Sequence, residues 1–302
     1  MNEFVKGSYE RFYPYLYFVP AILFAVIFVL LPAVQTVYSS FFYLHVNVPS
    51  PKNNMFIGFT NYAILFTDPR FYASIKNSLI YTLSSVFGVF LLALMTSLVA
   101  NQSFRGSSIY RACMIIPWAV ANVVAAQQWK FMYQPGFGLA NWLLYPFGII
   151  SNPNTYNLLT NTTTAMVCQI IANIWKSTPF VALILLGGLQ SIPDDFYEAA
   201  KVDGAGTWAR FRNITMPLLT PYINIGLLFA GLVSSTVIDI VFVITSGGPG
   251  GSTEIMPLYL YRMYFWTWDF GVAAAFSTFM VIFSILTMIL LIRALVTYLI
   301  KV

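Results

Sequence analysis

The chain has 302 residues, of which 59% are hydrophobic, 18% aromatic and only 8% charged, and its mean hydropathy is +0.75. A soluble domain carries roughly a quarter charged residues, so this composition excludes a water-exposed globular surface and indicates one that faces lipid. The net charge of +5 sits in single residues between apolar stretches, with no basic run to track phosphates, which excludes nucleic acid as a partner.

A transmembrane helix needs about 20 mainly apolar residues. Six stretches meet this in chain order: Tyr15–Phe42, Asn77–Ala100, Ile109–Trp129, Thr164–Leu189, Tyr222–Thr245 and Val272–Ile292. The expected fold is all-α, a polytopic membrane helical bundle of six transmembrane helices forming a single domain over residues 1–302. The first stretch, after the short flank Met1–Tyr13, is too long for a signal-peptide core and is not followed by a small-x-small cleavage site, so it reads as an uncleaved anchor. Leu44–Lys76 and Tyr133–Thr163 are loops rich in Pro, Asn, Gly and aromatic residues; Asn101–Ser108 is a short turn; Gln190–Pro221 is the long segment between the fourth and fifth spans. Cys113 and Cys168 both fall within spans, where isolated thiols read as small buried hydrophobes rather than as a metal site.

Lys and Arg near the span ends set the orientation. Lys6, Arg11, Arg105, Arg111, Lys201, Arg210, Arg212, Arg293 and Lys301 gather on one side, against the smaller set Lys52, Arg70, Lys76, Lys130 and Arg262. The larger set marks the cytoplasm, which places both termini inside and the two long loops outside. Asn161-Thr162-Thr163 is an outer glycosylation sequon.

Within the long inner segment, Ile192–Pro217 reads IPDDFYEAAKVDGAGTWARFRNITMP. Asp195 with Glu198 three residues later predicts a capping box and a helix through Lys201. Asp203-Gly204 then breaks it, because glycine readily adopts positive φ. A second short helix carrying Trp208, Phe211 and Ile214 on one face is expected next, closed by Pro217 and Pro221. The result is a helix–turn–helix presented to the cytoplasm, its small residues open to close approach by another surface. An ordinary connector lying among headgroups fits the same pattern.

This segment resembles the signature loop of the binding-protein-dependent permeases of ATP-binding cassette importers: E-A-A, three residues, G, nine residues, I-x-L-P. Glu198-Ala199-Ala200 leads by that spacing to Gly204 and then to Ile214 and Pro217, with Met216 in place of the usual leucine, a volume-conserving exchange. The likeness extends over Trp175 to Pro179-Phe180, Gly188-Leu189-Gln190, Asp239 to Thr245, Gly247-Gly248-Pro249, Thr253, Tyr261 and Gly271 to Ala275. Asp203-Gly204-Ala205 looks like the carbohydrate branch, and Thr245–Pro249 like its maltose-transporter large-subunit type. The resemblance implies half of a translocation pathway for a sugar, in the cytoplasmic membrane of a prokaryote. It implies a sister permease, two ATPase subunits that bring ATP and Mg, and an extracytoplasmic sugar-binding protein. One ATPase subunit would dock on this chain at Glu198, Ala199, Ala200, Asp203, Gly204 and Ala205.

The chain itself carries no G-x-x-x-x-G-K-[ST], no H-E-x-x-H and a lone histidine, His45, so neither catalytic residues, a metal site nor a cofactor of its own is expected. Lys176 and Asp239 are the ionisable residues deep in spans. A charge at the bilayer centre costs about 2.5–3.5 kcal/mol on insertion scales, so each should face a cavity or a partner. Ser235 and Asp239 are expected on one helix face with Ser234 beside them, and Asn173 and Trp175 adjoin Lys176, which makes these residues the candidate sugar path. The same hydroxyls and amides also suit plain helix–helix hydrogen bonding. A Lys176–Asp239 ion pair and an ion-coupled secondary carrier are the alternatives.

Overall fold

The structure, a computed structural model, describes residues 17–46, 51 and 53–301. The flank Met1–Tyr13, the start of the first span at Tyr15, and Lys6, Arg11 and Lys52 lie outside the described residues. The chain divides into two compact units, Met1–Asp68 with Leu260–Val281, and Pro69–Tyr259 with Ile282–Val302.

In the first unit, α1 (Tyr17–Ser39) is apolar on every face and leaves Phe24, Phe28 and Leu31 exposed. A helix hydrophobic all round in that way suits lipid. It ends before the expected Phe42, which instead opens a short hairpin, β1 (Phe42–Tyr43) against β2 (Met55–Phe56), with Phe42 opposite Phe56. The helix α2 (Thr60–Thr67) is tied to this hairpin by the buried Asn61, whose amide donates to the carbonyls of Ser40 at 2.8 Å and Phe42 at 2.9 Å.

The second unit is built on α3 (Pro69–Ala100), α7 (Thr162–Gln190) and α9 (Thr207–Thr236). Val86, Val89 and Ala93 of α3 pack with Val181, Ala182 and Leu185 of α7 and with Leu219, Ile223 and Leu227 of α9. Small residues let the backbones close in, as is usual between membrane helices. A Cβ on Gly88 would lie 2.3 Å from Ile174, and one on Gly188 2.5 Å from the Tyr222 ring. The span α12 (Phe270–Lys301) approaches α9 the same way, where a Cβ on Gly231 would fall 2.0 Å from the Met288 sulfur. The second and sixth spans are longer than the apolar runs predict, because their helices carry on into flanks holding Arg70 and Lys76 in one case and Arg293 in the other.

Two of the six expected spans are not single helices. The third divides into α4 (Ser107–Ala119) and α5 (Asn122–Met132), which meet at 95°. Pro117 removes an amide donor near the end of α4, and Val120 and Ala121 take extended backbone angles. The fifth begins already at Thr207, passes through a π-helical turn at Phe211–Thr215, and stops at Thr236. Val237 is extended, and the short helix α10 (Asp239–Ile244) follows. Near this break the hydroxyls of Ser235 and Thr236 donate to the Leu232 carbonyl at 3.1 and 2.7 Å, an alternative to the helix ladder that weakens the last turn. The loop between α5 and α7 contains α6 (Leu139–Leu144). Asn161 serves as the N-cap of α7, its Oδ1 accepting from the amides of Thr163 at 2.9 Å and Thr164 at 3.4 Å. Cys168 is buried as expected, whereas Cys113 is exposed in the chain alone.

Candidate functional site

The helix α8 (Asp194–Val202) and the turn after it form the first candidate site. The N-cap is Pro193, without a side-chain hydrogen bond, so the capping box expected from Asp195 and Glu198 does not form. Both aspartates sit instead in the first turn, where their charge meets the positive end of the helix dipole. The C-terminus closes as a Schellman motif: Ala205 N–H donates to the Ala200 carbonyl at 2.8 Å and Gly204 N–H to the Lys201 carbonyl at 3.1 Å. Gly204 takes φ +77°, as this motif requires, and a Cβ added there would meet nothing within 4 Å. The turn is therefore sterically open toward solvent.

Glu198, Ala199, Asp203 and Gly204 are exposed, and Ala200 and Ala205 half-buried. Around them Phe196, Val202 and Trp208 turn large apolar surface outward, Val202 being 88% exposed. The hydroxyls of Tyr197 and Thr215 share a hydrogen bond of 3.0 Å that fixes α8 against α9. The second half of the expected helix–turn–helix is not a separate short helix. It is the first part of α9, which runs through Pro217 and Pro221 to Thr236.

The second candidate site is the polar content of the spans. Lys176 is buried, and its Nζ donates to the carbonyls of Pro117, Trp118 and Val120 at 3.2, 2.7 and 2.5 Å. These are carbonyls that the break between α4 and α5 strips of helical partners, so the ammonium replaces the missing amides. The alternative of a Lys176–Asp239 pair is overturned: Asp239 Oδ2 accepts from Asn122 Nδ2 at 3.2 Å. Asp239 and Ser235 also do not share a helix face, because the break at Val237 separates them. Ser235 is buried on α9, and Asp239 opens α10.

Asn122 opens α5, so the two broken spans meet where their second segments begin. Lys130 Nζ donates to the Val243 carbonyl at 2.9 Å and ties the other end of α5 to α10. Asn173 Nδ2 donates to Ser234 Oγ at 2.9 Å between α7 and α9, and Gln169 Nε2 donates to Thr245 Oγ1. Asn173 Oδ1, Gln169 Oε1 and Ser177 Oγ are buried polar atoms without a protein partner among the described residues. Trp175 meets Trp129 edge-on at 5.8 Å, beside an almost wholly apolar cavity of about 620 Å³ that also borders Cys113 and Pro117.

Asn122, Trp129 and Lys130 were not among the residues expected from sequence. A polar Asn shortly after Pro117 within an apolar run is the signal that points to it. The glycine-rich stretch after α10 is stitched to α3: Asn77 Nδ2 donates to the Gly251 and Glu254 carbonyls at 3.2 and 3.1 Å, and Arg70 pairs with the buried Glu254 at 3.1 Å.

Long apolar helices, two of them broken with polar groups at the breaks, and an exposed capped turn at the root of one span together suit a membrane permease. Residues 88–301 match the family described as binding-protein-dependent transport system inner membrane component. The chain belongs to this family. It is 35% identical over 272 residues to the trehalose/maltose transport system permease protein MalF of Thermococcus litoralis, covering 89% of this chain and 90% of that one. It is 34% identical over 276 residues to the sulfoquinovosyl glycerol transport system permease protein SmoG of Agrobacterium fabrum, covering 90% and 86%. In fold it resembles a chain of a bacterial alginate ABC transporter solved in complex with an alginate pentasaccharide-bound periplasmic protein, with a TM-score of 0.76 at 23% identity, over 95% of each chain.

Proposed function

We propose that this chain is one of two permease subunits of an ATP-driven sugar importer and forms half of the translocation pathway. Relatives more than 30% identical over most of their length are named as sugar permeases, and the family is binding-protein-dependent. In this reading a sister permease completes the path. Two ATPase subunits bring ATP and Mg, one of them docking at Glu198–Ala205 of this chain, and a sugar-binding protein delivers the cargo on the opposite face. No cofactor is held by this chain. Both termini are cytoplasmic, and the membrane is the cytoplasmic membrane of a prokaryote.

The observation that carries this reading is the continuity of α9. Its 30 residues span about 45 Å at 1.5 Å per residue, from the exposed turn at Gly204 to the break at Val237. A push on the turn reaches the break through one helix, with the Tyr197–Thr215 bond keeping α8 attached to it. At the far end, Asn122 and Asp239 offer an amide and a carboxylate to sugar hydroxyls, which both donate and accept. Trp175 and Trp129 add the aromatic faces that sugar rings pack against. The ion-coupled carrier loses ground because Lys176 is occupied by three backbone carbonyls.

The test is purification of the complex from native membranes with mass spectrometry of its subunits, then a screen of sugars for stimulation of its ATPase activity. Co-purifying ATPase and sister subunits with activation by one class of sugar support the reading. A chain that purifies without an ATPase contradicts it.

A further inference from the structure

We propose that residues 137–149, in the loop between α5 and α7, form a membrane-interface anchor that lies among lipid headgroups and the adjoining acyl chains. No residue from 131 to 175 carries a charge, although the loop joins two membrane segments and would be expected to meet water. Its outer face consists of Phe137, Leu139, Trp142, Leu143, Phe147 and Ile149, all exposed, with Phe147 at 80%.

The helix α6 is apolar on both sides, with Ala140 and Leu144 packed against the core. It buries Asn141 completely, the side-chain amide donating to the carbonyls of Pro153 at 3.3 Å and Tyr156 at 2.9 Å, while Leu139, Trp142 and Leu143 point away from the protein. An amphipathic helix in water turns polar residues outward instead.

This outward apolar face belongs to an ordered structure. Ile150 and Leu158 are buried in the core beneath it, and the Tyr133 hydroxyl donates to the Cys168 carbonyl at 2.8 Å. Trp142 Nε1 donates to the Gly136 carbonyl at 3.1 Å, so the one polar group of the indole already has a partner.

The occupant follows from what the face lacks. A protein interface carries about one hydrogen bond per 100–200 Å² and a polar rim, yet the exposed side chains here offer only the Tyr145 hydroxyl. A soluble binding protein that comes and goes would leave this surface in water between visits. Lipid is always at hand, because α5 ends at Met132, α7 begins near Thr162, and both belong to helices apolar enough to cross a membrane. Trp, Tyr and Phe among aliphatic residues are the usual content of that boundary.

The experiment uses the wild-type chain with whatever subunits accompany it from native membranes, reconstituted into liposomes. These contain phosphatidylcholine bearing a photoreactive diazirine near the headgroup end of its acyl chain. After illumination, peptide mapping by mass spectrometry should place lipid adducts on residues 137–149 at several times the level on the exposed polar residues Ser151, Asn152, Asn154 and Thr155. Equal labelling of the two stretches overturns the proposal. So does labelling of 137–149 that appears only when the sister subunit is removed, which assigns the face to that subunit. Protection from label on adding a binding protein assigns the face to that protein and overturns it as well. None of these readouts depends on which solute is carried.

Discussion

An ammonium has three donors and no acceptor, and Lys176 directs its donors at three carbonyls of one helix break. The charge is thereby kept inside a span by backbone dipoles instead of a carboxylate. Lys176→Met leaves those carbonyls without their donor, at about 1–3 kcal/mol for each buried acceptor left unsatisfied. The variant should unfold in detergent at a temperature several degrees lower, followed by the reactivity of the buried Cys168 with a thiol dye. Lys176→Arg, which keeps a charged donor, should recover part of the loss; equal transitions for wild type and Lys176→Met would show that the break is held by other contacts. Asp239 poses a different question, since its partner Asn122 is a neutral amide at the mouth of another broken span. Asp239→Asn keeps an acceptor for Asn122, whereas Asp239→Leu keeps none. Asp239→Leu should reach the membrane at wild-type level yet lose sugar uptake, and Asp239→Asn should keep a measurable part of it. Wild-type uptake by Asp239→Leu would remove the residue from the path.

At the scale of elements, the proposed coupling makes α8, its turn and α9 a docking piece attached to a lever. Gly204→Arg forces a side chain into a φ of +77°, at roughly 1 kcal/mol or more, and fills the open space an ATPase would need. Glu198→Lys reverses an exposed charge without touching a span. Both variants should insert normally and co-purify with much less ATPase, measured as the ratio of subunits in the purified complex. An unchanged ratio for both makes the segment a connector. The turn was legible in the sequence because its signals are local: Asp203-Gly204 stops a helix whatever surrounds it. The six apolar stretches were legible because membrane thickness sets their length. The breaks were not, since Ile109–Trp129 and Tyr222–Thr245 each read as one stretch long enough to span. What holds the first break open is Lys176, more than fifty residues further along the chain. The capping box failed because Pro193, with its fixed φ, takes the N-cap position and moves both aspartates inside the helix.

On the scale of the whole molecule, orientation and coupling are the claims that everything else depends on. Ala205→Cys should react with a membrane-impermeant thiol reagent only after cells are opened, while Asn154→Cys should react in intact cells; the reverse pattern turns the chain over and places Glu198–Ala205 out of reach of ATP. The most direct measurement is sugar uptake into proteoliposomes. They would hold the purified complex, with ATP inside and a sugar-loaded binding protein outside. Wild-type complex should show ATP hydrolysis that rises with the loaded binding protein, together with accumulation of labelled sugar against its gradient. Glu198→Lys in this chain should abolish accumulation while the binding protein still binds sugar with unchanged affinity. Accumulation that proceeds without ATP, driven by an imposed ion gradient, would contradict the account.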